Sequence, residues 1–350
     1  VTTLAWVIGG GGLLGSHVEA ELGRSEQVTV WERTGGPFPW GHPARLEERF
    51  AETIRGFLEA GADDRSRSIF WCAGAGVVGT SAAELAEETE TWERFLDRLG
   101  AERDLGRAGS ARPLSISFAS SAGGVYAGSS ELPTTESSPT RPQSAYGEAK
   151  LRQERALADW ARERPEISSL VARIANLYGP GQKGSKPQGL ISQMSRCLIH
   201  HRPVHIYVPL DTVRDFVFVE DAAQSLVRWM ERLSREAEDA GRGVHVLKIC
   251  ASERPTTIAG LVGVFRRLAK RQLRVVSGLH PLSGQHPRRL QFRSTVWSDE
   301  PRPDATSLLV GIDRVYRHQL ALSQGGALLP PEPVGLGISS GPVVPPPTPR

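Results

Sequence analysis

Lysine is scarce in this chain: of 42 basic residues only five, at positions 150, 183, 186, 248 and 270, are lysine. A lysine inside a motif is therefore a specific choice, and Lys150 is the case that matters. Cysteine is scarcer still. Cys72, Cys197 and Cys250 are odd in number, widely spaced and without a C-x-x-C pair, which argues against a disulfide framework or redox motif and fits a reducing cytoplasm. No stretch reaches about 18 uninterrupted apolar residues, so no membrane-spanning helix is expected. The opening VTTLAWVIGGGGLLGSHV is apolar but has no basic flank and contains a glycine run, so it does not read as a secretory signal. A net charge of +3 spread over 350 residues gives no field that would select nucleic acid or an anionic membrane as the main partner.

What is present suffices for a large core. With 39% hydrophobic and 23% charged residues, the chain can bury one large α/β core or two smaller ones without a metal or disulfide staple. Strand and helix signals alternate. Leu4 to Ile8 is a short apolar run ending in glycines, Leu13 to Leu22 has helical spacing, and Gln27 to Trp31 is β-branched. A helix is expected from Ala44 to Ala60, a strand from Ser68 to Cys72, a helix from Ala82 to Leu99 and a strand from Leu114 to Phe118. A helix from Ala145 to Arg162 and a strand from Ser169 to Ile174 follow. The fold class is therefore α/β, a doubly wound parallel sheet over residues 1–178. Beyond Tyr178 the rhythm loosens. Strands are expected over 204–207, 214–219, 244–250 and 273–276, with helices near 221–235 and 257–270, in a smaller C-terminal α/β lobe over 179–324 interleaved with the last strands of the first sheet. The Pro- and Gly-rich 325–350 tail, almost without charge, reads as disordered.

Two local patterns carry chemistry. Gly9, Gly12 and Gly15 form G-x-x-G-x-x-G between a strand and a helix, with Leu13 and Leu14 opening that helix. Such a turn lets backbone approach a pyrophosphate held at the helix N-terminus. Glu32, at the end of the next strand, suits ribose hydroxyls and disfavours a 2′-phosphate, which favours NAD. Arg33 argues the other way, toward NADP. The second pattern is Tyr146-Gly147-Glu148-Ala149-Lys150, whose spacing stacks a phenol and an ammonium on one helical face. An ammonium there favours the phenolate and so supports acid/base work. Upstream, SSAGGVY at 120–126 follows a strand and offers a hydroxyl for the same site.

The glycine turn, SSAGGVYAGS, SAYGEAK, RIANLYGPGQ at 173–182 and RDFVFVEDAA at 214–223, in this order, resemble the extended short-chain dehydrogenase/reductases, specifically the NAD-dependent epimerase/dehydratases, over about residues 4–320. The resemblance implies a Rossmann domain holding NAD and a C-terminal lobe holding a nucleotide-sugar substrate. It implies Tyr146 as catalytic base, Lys150 on the nicotinamide ribose, Ser121 as the partner hydroxyl, Asn176 near the substrate diphosphate and Arg214 on a phosphate. A second phosphate-binding arginine is expected in the lobe, with Arg289 and Arg293 as candidates and Arg293 entered as the site residue. A homodimer through two helices packed as a bundle is implied as well.

Departures from the pattern are specific. Counted back from Val125-Tyr126, the hydroxyl position falls on Ala122, whereas counted back from Tyr146 it falls on Ser121, which is taken here. The usual Asn near the start of the helix after the fourth strand is missing, since 80–100 contains no Asn. The GD-type segment that touches adenine is not evident, with Asp63 or Asp64 in its region. Related dehydratases and decarboxylases place a carboxylate directly after the hydroxyl, where this chain has Gly123 and Gly124. With only Tyr and Ser, reversible hydride transfer at one carbon, and hence 4-epimerisation, is the simplest chemistry. An NADP-dependent keto-sugar reductase, or a non-catalytic NAD-binding protein on the same fold, is the alternative. Cys197, His200, His201 and His205 match no common zinc framework and are not read as a metal site. The tryptophans at 6, 31, 71 and 92 are read as packing, and Glu84, Glu87, Glu88 and Glu90 as one solvated helix face. Arg266, Arg267, Lys270 and Arg271 are read as a solvated helix end.

Overall fold

Apolar side chains on both faces of the first strand require a layer on each side of it. In the computed structural model, which describes residues 3–60, 66–105, 112–182, 189–269, 273–277, 287–300 and 305–328, that strand is central. β1 (Thr3–Ile8) sends Ala5 and Val7 into one core and Leu4, Trp6 and Ile8 into the other. After α1 (Leu13–Leu22) the chain forms β2 (Val28–Val30), which pairs parallel on one side of β1. α2 (Pro43–Glu59) then leads to β3 (Ser66–Trp71), which pairs parallel on the other side, followed by α3 (Ala82–Asp104) and β4 (Leu114–Ser121). The single turn α4 (Ala122–Val125), the long helix α5 (Ala145–Arg162) and β5 (Ile167–Ile174) continue the sheet.

From there the chain leaves and returns. β6 (Asn176–Tyr178), α6 (Leu190–Ile199), β7 (Val204–Ile206), β8 (Val213–Arg214) and β9 (Phe216–Phe218) precede α7 (Val219–Ala240) and β10 (His245–Cys250). β10 joins β5 in parallel, giving a six-stranded sheet in the order β10-β5-β4-β3-β1-β2. Helices α1 and α7 pack together in the core that holds Val18, Leu22, Leu226 and Met230. On the opposite face α2, α3 and α5 close an aromatic-rich core. There Trp6 lies 5.3 Å from Trp31 and from Phe57, while Trp71 lies 4.6 Å from Trp92, so these tryptophans are packing residues. The usual dinucleotide-fold order has another strand outside β2. Among the described residues β2 is the sheet edge. Asp63 and Asp64 lie outside the described residues, as do Lys270 and Arg271 and residues 329–350 of the tail.

The rest of the second half is β11 (Thr256–Thr257), α8 (Ile258–Ala269), β12 (Val275–Ser277) and α9 (Leu308–Gln324). Two-stranded pairings β7 with β12, β8 with β11, and β6 with β9 brace this region, and Ile191, Met194, Phe218, Leu261, Phe265 and Ile312 share its core. Helices α6 and α9 were not anticipated from sequence. The single strand expected over 214–219 is broken at Asp215 into β8 and β9, because β8 pairs with β11 while β9 pairs with β6.

Candidate active site

The glycine turn is built by close approach. Gly9 has φ of +97°, and a Cβ there would lie 2.6 Å from the Ala73 nitrogen. One on Gly15 would lie 2.3 Å from the Gly9 carbonyl oxygen. Backbone therefore meets backbone where β1, α1 and the end of β3 converge. Gly12 caps α1 without any side-chain hydrogen bond, Leu14 is buried and Leu13 half-buried, so the first-turn N–H groups have no side-chain cap. That cradle fits a pyrophosphate. Glu19 reaches back so far that a Cβ on Gly10 would lie 2.0 Å from its Oε1. Burial raises the Glu19 carboxyl above its usual value, and burial with Glu19 nearby pushes the Cys72 thiol up to about 12, which keeps it an inert thiol.

Past β2 the two cofactor-selecting residues face different surroundings. Glu32 is exposed, whereas the Arg33 guanidinium sits 4.1 Å over the Phe38 ring and its Nε is buried without a hydrogen-bond partner among the described residues. Burial and neighbouring Arg49 lower the Arg33 pKa. Arg49 itself donates to the Thr34 and Gly35 carbonyls.

The residues expected to act as acid and base lie at the C-terminal end of β4 and on the first turns of α5. Ser144 caps α5 by accepting the Gly147 N–H at 3.2 Å, so Tyr146 lies in the first turn and Lys150 one turn later. Ser121 caps α4, its Oγ accepting the Gly124 N–H at 3.1 Å, and is half-buried at the strand end. Ala122 is fully buried in the core. A Cβ on Gly124 would lie 3.2 Å from the Tyr146 ring, and one on Gly123 would lie 3.8 Å from Asn176 Oδ1 and 3.7 Å from Leu290. Gly124 of the SSAGGVY turn thus lies against Tyr146, and Gly123 near Asn176.

Lys150 is buried, with Nζ 3.0 Å from Gln153 Oε1 and 3.2 Å from Glu88 Oε1. Glu88 corrects the reading of a solvated acidic face. Glu84, Glu87 and Glu90 are exposed, Glu84 completing a capping box with Ser81, but Glu88 turns inward and its Oε2 accepts the Ala75 and Gly76 N–H groups, each at 2.9 Å. Burial raises its carboxyl pKa, and Lys150 and the two amides outweigh that, so it is held below its usual value. In sequence this helix stood out only for lacking an Asn over residues 80–100. The helical pattern around Glu88 gave no sign of a partner 62 residues away.

Beneath the site a buried ion pair locks three elements. Arg173 on β5 meets Glu154 of α5 with Nε 3.0 Å from Oε1 and Nη2 2.6 Å from Oε2, and its Nη1 donates to the Tyr126 hydroxyl. Ser120 on β4 donates to the same carboxylate. Both members of the pair are 4–5% exposed. This network went unread in the sequence, although Arg173 opens the RIANLYG motif.

The lobe supplies a cation facing the same end. Asn176 donates its backbone N–H to the Asp215 carbonyl at 3.1 Å, because β6 and β9 pair at Asn176 and Phe216. Arg214 donates to the Val213 carbonyl at 2.8 Å, and no carboxylate pairs with it among the described residues. Burial lowers its pKa to about 10. An unmatched, desolvated guanidinium fits an anionic group. Arg289 is exposed and bridges to Val213 beside Arg214, whereas exposed Arg293 follows Phe292 and donates its backbone N–H to Thr134 at 2.9 Å. Glu136 ties this returning segment to the sheet edge, accepting from the Ile249 N–H at 2.9 Å, the Ser294 hydroxyl at 2.6 Å and the Thr295 N–H at 2.8 Å.

The sequence matches the NAD dependent epimerase/dehydratase family over residues 5–241. This chain belongs to that family. It is 33% identical over 116 residues to an Escherichia coli dTDP-4-dehydro-6-deoxyglucose reductase, a match covering 33% of this chain and 36% of the reductase. It is 31% identical over 145 residues to a Mycolicibacterium smegmatis UDP-glucose 4-epimerase, covering 41% and 45% of the two. The chain therefore spans less than half the length of these relatives. Its fold matches that of a Thermotoga maritima UDP-glucose 4-epimerase with UDP-glucose, with a TM-score of 0.70, 21% identity, and 92% of this chain and 100% of that one covered. It likewise matches Pseudomonas aeruginosa RMD complexed with NADPH, at a TM-score of 0.70 and 19% identity over 91% and 98%. No helix among the described residues is long and apolar enough to cross a membrane.

Proposed function

We propose that this family member epimerises a nucleotide sugar at one carbon through a transient ketone. The observation that carries the reading is the turn after Ser121, Ala122-Gly123-Gly124, which carries no carboxylate and whose glycines lie against Tyr146 (a Cβ on Gly124) and near Leu290 and Asn176 (a Cβ on Gly123). No side chain at 123 or 124 supplies the extra carboxylate that elimination needs, so proton movement rests on the phenol. NAD, when bound at the Gly9, Gly12 and Gly15 turn with Leu13, Leu14 and Glu32 beside it, supplies a hydride acceptor. The Tyr146 oxygen takes the proton of the sugar hydroxyl and later returns it to the ketone oxygen. Ser121 donates a hydrogen bond to that oxygen, and Lys150 adds positive charge beneath the phenol. Arg214, with Arg289 better supported than Arg293 by its pairing beside Val213, holds the diphosphate, and Asn176 contacts the substrate near it.

The test is mass spectrometry of small molecules retained by the purified chain, followed by a screen of nucleotide sugars with Tyr146→Phe beside wild type. Interconversion of two epimers that drops about 100- to 10,000-fold in the variant is expected. An epimerase activity that survives Tyr146→Phe eliminates this mechanism.

A second reading, an NADPH-dependent keto-sugar reductase, is favoured by one observation: the buried, unpartnered Nε of Arg33 beside Arg49 suits a 2′-phosphate. Retained NAD favours the epimerase, because that reaction recycles its cofactor in place. Released NADP, with NADPH consumed stoichiometrically, favours the reductase.

A further inference from the structure

Glu88 stands at the junction of three parts of the site. Its Oε2 accepts two backbone N–H groups from the loop after β3, the loop that also packs against the Gly9 turn, and its Oε1 is 3.2 Å from Lys150 Nζ. A carboxylate with three donors, 19% exposed at the side chain, is a held anion. Lys150 is drawn to α3 by it. Its Nζ lies 5.9 Å from the Tyr146 ring centroid and 5.2 Å from that of Phe118, with Gln153 as its other acceptor. The seam is shaped for this arrangement. Gln153 Nε2 donates to Thr89 Oγ1 at 3.3 Å and Trp92 Nε1 donates to the Gln153 carbonyl at 3.0 Å, so α3 and α5 cannot slide past one another without breaking the pair.

We propose that Glu88 is a positioning residue for the Tyr146 and Lys150 pair: it anchors the ammonium against α3 and the β3–α3 loop and offsets its charge. This rests on Tyr146 being the acid/base group of the proposed function. An ammonium beside a phenol favours the phenolate, and an anion behind the ammonium opposes that. Removal of the anion therefore makes the phenol lose its proton at lower pH. The charged and titratable groups around this junction are Glu88 from α3, Tyr146 and Lys150 from α5, and Cys72 and Glu19 behind the glycine turn. Glu154 of α5 is committed to Arg173, and β4 contributes Phe118, which has no charge.

The experiment is ultraviolet difference titration of the phenolate, comparing the chain with its Tyr146→Phe variant in a wild-type, a Glu88→Gln and a Glu88→Asp background. The five tyrosines make that subtraction necessary. It uses neither cofactor nor substrate, so an inactive chain can pass it and an active enzyme can fail it. The Tyr146 midpoint is expected to fall by about one pH unit in Glu88→Gln, the order expected when a unit charge several ångströms away is removed. Glu88→Asp keeps the charge but is one methylene too short for the same contacts, so a smaller fall is expected. Circular dichroism checks the fold. If Glu88→Gln does not fold, the Glu88→Asp shift decides alone. An unchanged or raised midpoint in whichever variant folds overturns the proposal.

Discussion

A Cβ placed on Gly147 would come within 2.3 Å of the Gly124 carbonyl oxygen. The first turn of α5 therefore lies directly on the α4 turn, backbone against backbone, and this contact brings the Tyr146 ring against Gly124. Gly147→Ala tests it. In an isolated helix the change would help by about 1 kcal/mol. Here the overlap should reverse the sign, destabilising the chain by about 1 to 3 kcal/mol in urea unfolding. An equally stable Gly147→Ala protein would mean that the turn and the helix are not in contact.

The Arg173 and Glu154 pair makes a larger prediction. Glu154→Gln leaves a buried guanidinium without its counter-charge, and such a loss costs about 3 to 5 kcal/mol. The double change Glu154→Leu with Arg173→Met removes both charges and should be less damaging than Glu154→Gln alone. Chemical denaturation of the three proteins measures this, and a double variant that loses more stability than Glu154→Gln would count against a coupled pair.

Arg214 carries the anion-binding prediction. Arg214→Ala should weaken binding of UDP by about 10- to 100-fold in calorimetry, the worth of a charge-assisted hydrogen bond or two. Arg214→Lys should recover part of that loss, because charge returns without the fork. If UDP binds Arg214→Ala as it binds wild type, the cation serves something other than the diphosphate.

Asp215 gives a pH dependence. Burial raises its carboxyl above the usual value, opposed by Ser252 donors at 2.8 and 2.9 Å and by the Glu253 backbone, and its Oδ2 has no hydrogen-bond partner among the described residues. A folded-state pKa above the unfolded one means that protonation favours folding. The stability it contributes is full below the unfolded value near pH 4 and is lost as pH rises through the folded one. Asp215→Asn should flatten that decline above about pH 4. Thermal melts across this range show it, and a decline that persists unchanged assigns the effect to another group.

The glycine turn and the Tyr146 to Lys150 spacing were legible because both are local. A turn between a strand and a helix, or two residues one helical turn apart, is set within about seven residues of chain. The buried strands were legible for the same reason, since both-faced apolar runs such as Leu4 to Ile8 announce a covered sheet. Glu88 was misread because a helix pattern assigns one face by average character, and the other three acids of that face, Glu84, Glu87 and Glu90, do face solvent. Arg173 and Glu154 were unreadable as a pair for a related reason: a charge inside a covered strand has no periodicity that names its partner.

Sequence alone determined the α/β alternation, the glycine turn between β1 and α1, the family's motif order and the Tyr146 to Lys150 spacing on one helix face, because each depends on short-range geometry that residue type and spacing dictate. Tertiary structure decided that Ser121 stays half-buried at the strand end while Ala122 is enclosed in the core, and that an acid of α3, Glu88, stands behind Lys150. It also decided that Arg214 is partly buried, with no carboxylate paired to it among the described residues. These are properties of packing between elements far apart in the chain, where burial and the position of a partner set the behaviour of a charge, and no window along the sequence contains both.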